Sequence, residues 1–109
     1  LRAVKSKEVI IFADNAGNSP FTEWLDDLDS RTRARIEQGI LRVSLGNYGD
    51  YKVLQDGINE LRFAFGAGYR VYFGEDGDTV VVLISGGDKS TQKKDIKKAI
   101  ECWKEYQND

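Results

Sequence analysis

The chain has 109 residues, with 16 lysines and arginines against 18 aspartates and glutamates, a net charge of −2, one cysteine and no histidine. That length fits one domain, 1–109, able to bury its own core, and 40% hydrophobic with 31% charged residues reads as globular rather than disordered. The lone Cys102 excludes an intramolecular disulfide, and without histidine the usual zinc and transition-metal sites are gone; metal chemistry could only be carboxylate-based, and acid–base chemistry near neutral pH must use carboxylate, lysine, tyrosine or arginine.

Glu8 to Ala13 carries Val9-Ile10-Ile11-Phe12, a β-branched apolar run that predicts a strand buried on both faces. Asp14 to Asn18 is a loop. Ser19 can cap a helix opening at Pro20, with Phe21, Trp24, Leu25 and Leu28 recurring at helical spacing. Asp29 or Ser30 can cap a second helix reaching about Leu45, with Ile36, Ile40 and Val43 inward, Arg31, Arg33, Arg35 and Arg42 mostly outward, and Gly46 as the C-terminal stop. Asn47 to Gly57 reads as loop, although Tyr51 to Leu54 could touch the core. Ile58–Phe65 and Tyr69–Gly74 alternate apolar and polar residues, and Gly66-Ala67-Gly68 folds them into a hairpin. Asp76-Gly77 is a type I′ signal leading into Val80 to Ile84, which is apolar on both faces and so central. Ser85 to Lys89 is a turn, and Ser90 or Thr91 can cap a last helix whose stripe is Ile96, Ala99, Ile100 and Trp103.

The expected architecture is α+β in the order β-α-α-β-β-β-α. It is a small antiparallel-rich sheet of about four strands, with two N-terminal helices on one face and a C-terminal helix. Much of the other face is left for a ligand or partner.

If the three-residue loop pairs residue 65 with 69, Arg62 falls opposite Tyr72 and diagonal to Arg70, and Glu60 shares their face. Two guanidiniums and a phenol on one face suit a phosphodiester, because guanidinium offers planar paired donors and a phenol can stack or move a proton. Each residue also has a plainer use. Arg62, Arg70 and Glu60 can form a structural ion pair, and Tyr72 can be a half-buried sheet aromatic. Lys52 and Lys89 can contact phosphate or be solvated turn lysines; Lys93, Lys94, Lys97 and Lys98 can contact an RNA backbone or form a solvated helix face. Trp24 and Trp103 are read as core and Cys102 as inert. No apolar run approaches the roughly 20 residues that span a bilayer. Leu1-Arg2-Ala3-Val4-Lys5 lacks the apolar stretch of a secretory signal, so the expectation is cytoplasmic, with no membrane partner.

The element order, with Asn47-Tyr48-Gly49-Asp50-Tyr51-Lys52, Glu60-Leu61-Arg62, Gly68-Tyr69-Arg70-Val71-Tyr72-Phe73 and Gly86-Gly87-Asp88-Lys89-Ser90, resembles the addiction-module killer proteins, the HigB-like branch of the RelE/ParE toxin superfamily. The resemblance implies the toxin of a type II toxin–antitoxin module, a metal-independent mRNA endoribonuclease commonly acting in the ribosomal A site to inhibit translation. A cognate antitoxin, often with a helix-turn-helix domain, neutralises it. The ribose 2′-hydroxyl attacks the adjacent phosphate and leaves a 2′,3′-cyclic phosphate. By the same resemblance Arg70 stabilises the scissile phosphate, Arg62 is a basic strand position, and Lys89 follows the last strand where relatives place a basic residue. Relatives carry a catalytic tyrosine or histidine near the C-terminus, where this chain reads Lys93, Lys94 and Asp95; Tyr72, Glu60 and Lys52 stand as the proton-transfer candidates. Two rival functions stay open: a gyrase inhibitor like the ParE branch, and a phage-derived interaction protein with degenerate chemistry.

Overall fold

The computed structural model describes residues 6–108; the Leu1–Lys5 start read above for a signal lies outside them. Five strands, two longer helices and one short one run in the order β1 (Glu8–Ile11), α1 (Pro20–Asp26), α2 (Ser30–Ser44), β2 (Tyr51–Val53), β3 (Asn59–Arg62), β4 (Arg70–Asp76), β5 (Val80–Gly87) and α3 (Gln92–Gln107). The sheet order is β1-β5-β4-β3-β2; β1 runs parallel to β5 and every other pair is antiparallel. The expected α+β class holds, with one strand more than expected and a mixed sheet.

The helices begin where the sequence signals them. Ser19 accepts from the Thr22 backbone at the start of α1, with Pro20 at its first position, and Asp29 accepts from Thr32 at the start of α2. Gly46 ends α2 at φ +89°, and the Asn47 and Gly46 amides donate back to the Arg42 and Val43 carbonyls, a Schellman stop. At α3 Thr91 holds the N-cap position, as one of the two expected residues, but its side chain makes no capping hydrogen bond. Asp88 accepts from the Ser90 amide and forms a capping box with Thr91 around a short 3₁₀ turn, Lys89–Thr91, that leads into the helix.

Two cores sandwich the sheet. On one face Phe21, Ile36, Val43 and the partly buried Trp24 pack on Leu61, Val71, Phe73, Val81 and Leu83; on the other, Ala99, Cys102 and Trp103 of α3 pack on Ile58, Tyr72, Val82 and Ile84. The second face is therefore not left open as expected, because the apolar stripe of α3 needs a partner and β4 and β5 supply it.

Further expectations change. Tyr51–Val53 is not loop but an edge strand. β1 is also an edge, so Ile11 is half exposed rather than buried on both faces. The turn read at Ser85–Gly87 continues β5, and the Asp76-Gly77 turn is not type I′: Asp76 pairs with Val80 across three residues, with positive φ at Gly77 alone. The β3–β4 register moves by two. Phe63 donates to the Tyr69 carbonyl, the loop is residues 64–68, and Arg62 pairs with Arg70 while Glu60 pairs with Tyr72. A shift of two preserves the faces, so Glu60, Arg62, Arg70 and Tyr72 still share one side.

Candidate functional site

Opposing like charges destabilise a strand pair, and Arg62 opposite Arg70 is such a pair. Glu60 offsets it. The fully buried carboxylate accepts from Arg62 Nε at 2.9 Å through Oε1, which also lies 3.7 Å from Arg70 Nε, while Oε2 accepts from Gln92 Nε2 at 2.7 Å. Both carboxylate oxygens face groups that can only donate. Glu60 is thereby committed as an acceptor, and α3 is tied to β3 through the first residue of the helix. The hydrogen bond to Glu60 pushes the Arg62 guanidinium further up, so its charge is permanent.

With their Nε edges turned inward, the guanidiniums face a cavity of about 400 Å³ at the end of the sheet, walled by Arg62, Arg70, Lys89 and Asp50 and by the 64–68 loop. Arg70 Nη1 donates to the Gly68 and Tyr69 carbonyls at 3.2 Å, which fixes its angle. Gly68 has φ +75° and lies under the Lys89 side chain: a Cβ there would meet Lys89 Cδ at 2.7 Å. The small loop residues thus let a third cation close over the two arginines.

Of the residues singled out in the sequence, Arg62, Arg70 and Lys89 meet in this cavity. Glu60 lies behind the arginines. Tyr72 is fully enclosed in the second core, so its ring has no face for a base to stack on; its hydroxyl lacks a hydrogen-bond partner among the described residues. Burial, then the charges of Glu60 and Asp95, pushes this phenol far above its ordinary 10.0. Lys52 is exposed on β2 opposite Glu60, outside the cavity wall, and Lys93 is exposed on α3, also outside it. Sequence reasoning missed Asp50 and Gln92. Asp50 reaches the wall because its carbonyl accepts from the Arg62 amide at 2.8 Å, a pairing that follows only once β2 is recognised as a strand.

The domain thus has three layers of α+β build with a cavity at one end of its sheet that gathers Arg62, Arg70 and Lys89. Residues 23–104 match the family described as Phage derived protein Gp49-like (DUF891), and the chain belongs to that family, which is of toxin–antitoxin type. The match includes Asp50, Glu60, both arginines, Lys89 and Gln92, but not β1. A protein of Haemophilus influenzae (strain ATCC 51907 / DSM 11121 / KW20 / Rd), itself uncharacterized, is 50% identical over 80 residues, covering 72% of this chain and 81% of the relative. Among the described residues no helix is long and apolar enough to cross a membrane.

Proposed function

We propose that the chain is the toxin of a type II toxin–antitoxin module, HigB-like, and that it cleaves mRNA in the ribosome without a metal. The observation that carries this reading is the pair Arg62 and Arg70, held side by side by one buried carboxylate and opening with Lys89 onto a cavity the size of a small ligand. Preorganised guanidiniums favour the extra negative charge of a pentacovalent phosphorane and need no reorganisation as it forms. In the reaction the ribose 2′-oxygen bonds to phosphorus, the bond to the 5′-oxygen breaks, and a 2′,3′-cyclic phosphate and a free 5′-hydroxyl result.

Arg70 and Arg62 hold the nonbridging oxygens, and Lys89 lies at the leaving 5′-oxygen and gives it the proton that makes the 5′-hydroxyl. Glu60 and Tyr72 act from behind: Glu60 aligns the guanidiniums and Tyr72 packs beneath Glu60. The proton of the 2′-hydroxyl goes to a group that faces the cavity, and Asp50 is the carboxylate that does so. Lys52 and Lys93 contribute to the surrounding positive field. The partner that neutralises the protein is a cognate antitoxin with a helix-turn-helix domain.

The test is induction of wild type and Arg70→Ala in a bacterial host with mapping of mRNA 5′ ends. Wild type arrests growth and produces new ends; Arg70→Ala loses both, with cleavage lower by on the order of a hundredfold or more. Equal arrest with identical ends from both proteins overturns the proposal. Arrest without cuts, together with inhibited gyrase supercoiling in vitro, replaces it with the gyrase reading.

A further inference from the structure

We propose that the cationic groove continues past Arg62 onto α2, where Arg35, Gln38 and Arg42 form a second subsite for the phosphate of a neighbouring nucleotide in single-stranded RNA. This rests on the ribonuclease reading above. A second cavity, about 390 Å³, is walled by Arg35, Gln38, Arg42 and Phe65, and it shares Asp50, Arg62, Phe63 and Ala64 with the first. Arg62 thus lies on the boundary of both. The two cavities adjoin at Asp50 and at the end of β3, along Arg62, Phe63 and Ala64.

Positions 35, 38 and 42 fall on one side of α2 because the spacing of three and seven returns to the same face. Arg35 is fixed there: its guanidinium carbon sits 3.8 Å from the centroid of the Phe65 ring. A guanidinium lying over a ring is held through its face, and its N–H edge is the part that pairs with phosphate oxygens. Neither Arg35 nor Arg42 is paired with a carboxylate among the described residues. The two cavities together carry Arg35, Arg42, Arg62, Arg70 and Lys89 against the single wall carboxylate of Asp50. A polymer with one negative charge per unit fits two adjoining cationic cavities that meet at one arginine. A phosphate seated between Arg62 and Arg70 has its neighbour within reach of the α2 wall.

Anisotropy of fluorescein-labelled 2′-O-methyl RNA, which cannot be cleaved, tests this with the full chain. Wild type binds a hexanucleotide, and the double variant Arg35→Ala, Arg42→Ala binds it weaker by on the order of tenfold, a smaller loss being seen with a dinucleotide that fills one cavity. The slope of log K against log salt falls by about 0.7, the loss of one phosphate contact on a single strand. Lysine at both positions restores the slope, and circular dichroism reports the fold of each variant. An unchanged hexanucleotide affinity and salt slope in the double alanine variant, with cleavage still abolished by Arg70→Ala, overturns the second subsite and spares the nuclease reading. Tighter binding of a hexaglutamate peptide than of RNA, lost in the double variant, assigns the groove to an acidic protein segment and also overturns it. A wild type that neither binds nor cleaves RNA overturns both readings.

Discussion

Removing the Glu60 carboxylate leaves Arg62 and Arg70 facing each other across two strands with only an amide donor behind them. Breaking a buried ion pair from one side costs about 3–5 kcal/mol, and because the Arg62 side chain is 33% exposed the lower end applies. Glu60→Ala should therefore lose about 3 kcal/mol in urea unfolding and should lose cleavage as well, since both guanidiniums lose their alignment; Glu60→Asp should recover part of each. Tyr72→Phe should behave in the opposite way. It removes a buried hydroxyl that has no partner among the described residues, so stability should change by less than about 1 kcal/mol and cleavage should persist. Tyr48, whose hydroxyl donates to Glu75 at 2.7 Å, is likewise raised, by burial first and then by Glu75. A phenol raised on folding contributes stability that is intact below its unfolded value of 10.0 and is lost as the pH climbs through the folded value. The urea midpoint should thus decline above about pH 10, less steeply in Tyr72→Phe. Asp50→Asn should lower kcat with little change in KM; an unaltered kcat would remove Asp50 from the proton transfer.

At the scale of elements, each face of the sheet has a tryptophan resting on a strand glycine. A Cβ on Gly86 would come within 2.2–2.5 Å of Trp24, and one on Gly74 within 2.5–2.6 Å of Trp103. Rigid indoles cannot retreat from such a contact, so Gly86→Ala and Gly74→Ala should each cost about 1–3 kcal/mol, read as lower melting temperatures. The helices were legible in the sequence because their caps and apolar stripes are local signals, spaced within one element. The strands were less so. β2 has three residues, all exposed, between glycine-rich flanks, and an edge strand of that length carries no alternation to read. The Gly86-Gly87 pair resembles a turn because nothing local reveals an indole above the strand. The hairpin register came out two residues off since Phe63 and Tyr69 pair around a five-residue loop, yet the shared face of Glu60, Arg62, Arg70 and Tyr72 was legible, parity being indifferent to a shift of two. Gln92 was not legible: its contact with Glu60 spans 32 residues and depends on where α3 crosses the sheet.

At the scale of the whole molecule, a net charge of −2 coexists with a groove of five cations, so the mean charge says little about what one end of the sheet attracts. Association with a polyanion should accordingly be steep in salt although the protein is acidic. A chain cut after Gly87 keeps both arginines and all five strands but loses Gln92 and the apolar cover over Tyr72, Val82 and Ile84. It should show fast amide exchange in β4 and β5 and no cooperative urea transition.

The parallel pairing of β1 with β5, Glu8 against Val80, bears on the order of events during synthesis. β1 leaves the ribosome well before β5, the strand it pairs with, and Gln92, which locks Glu60 under the arginines, comes later still, at the start of α3. Until β5 and then α3 have emerged, Arg62 and Arg70 have neither a completed sheet nor a clamp to hold them together. The geometry of the site belongs to a chain that includes α3, and a nascent chain short of it is without that geometry at the very machine that makes it.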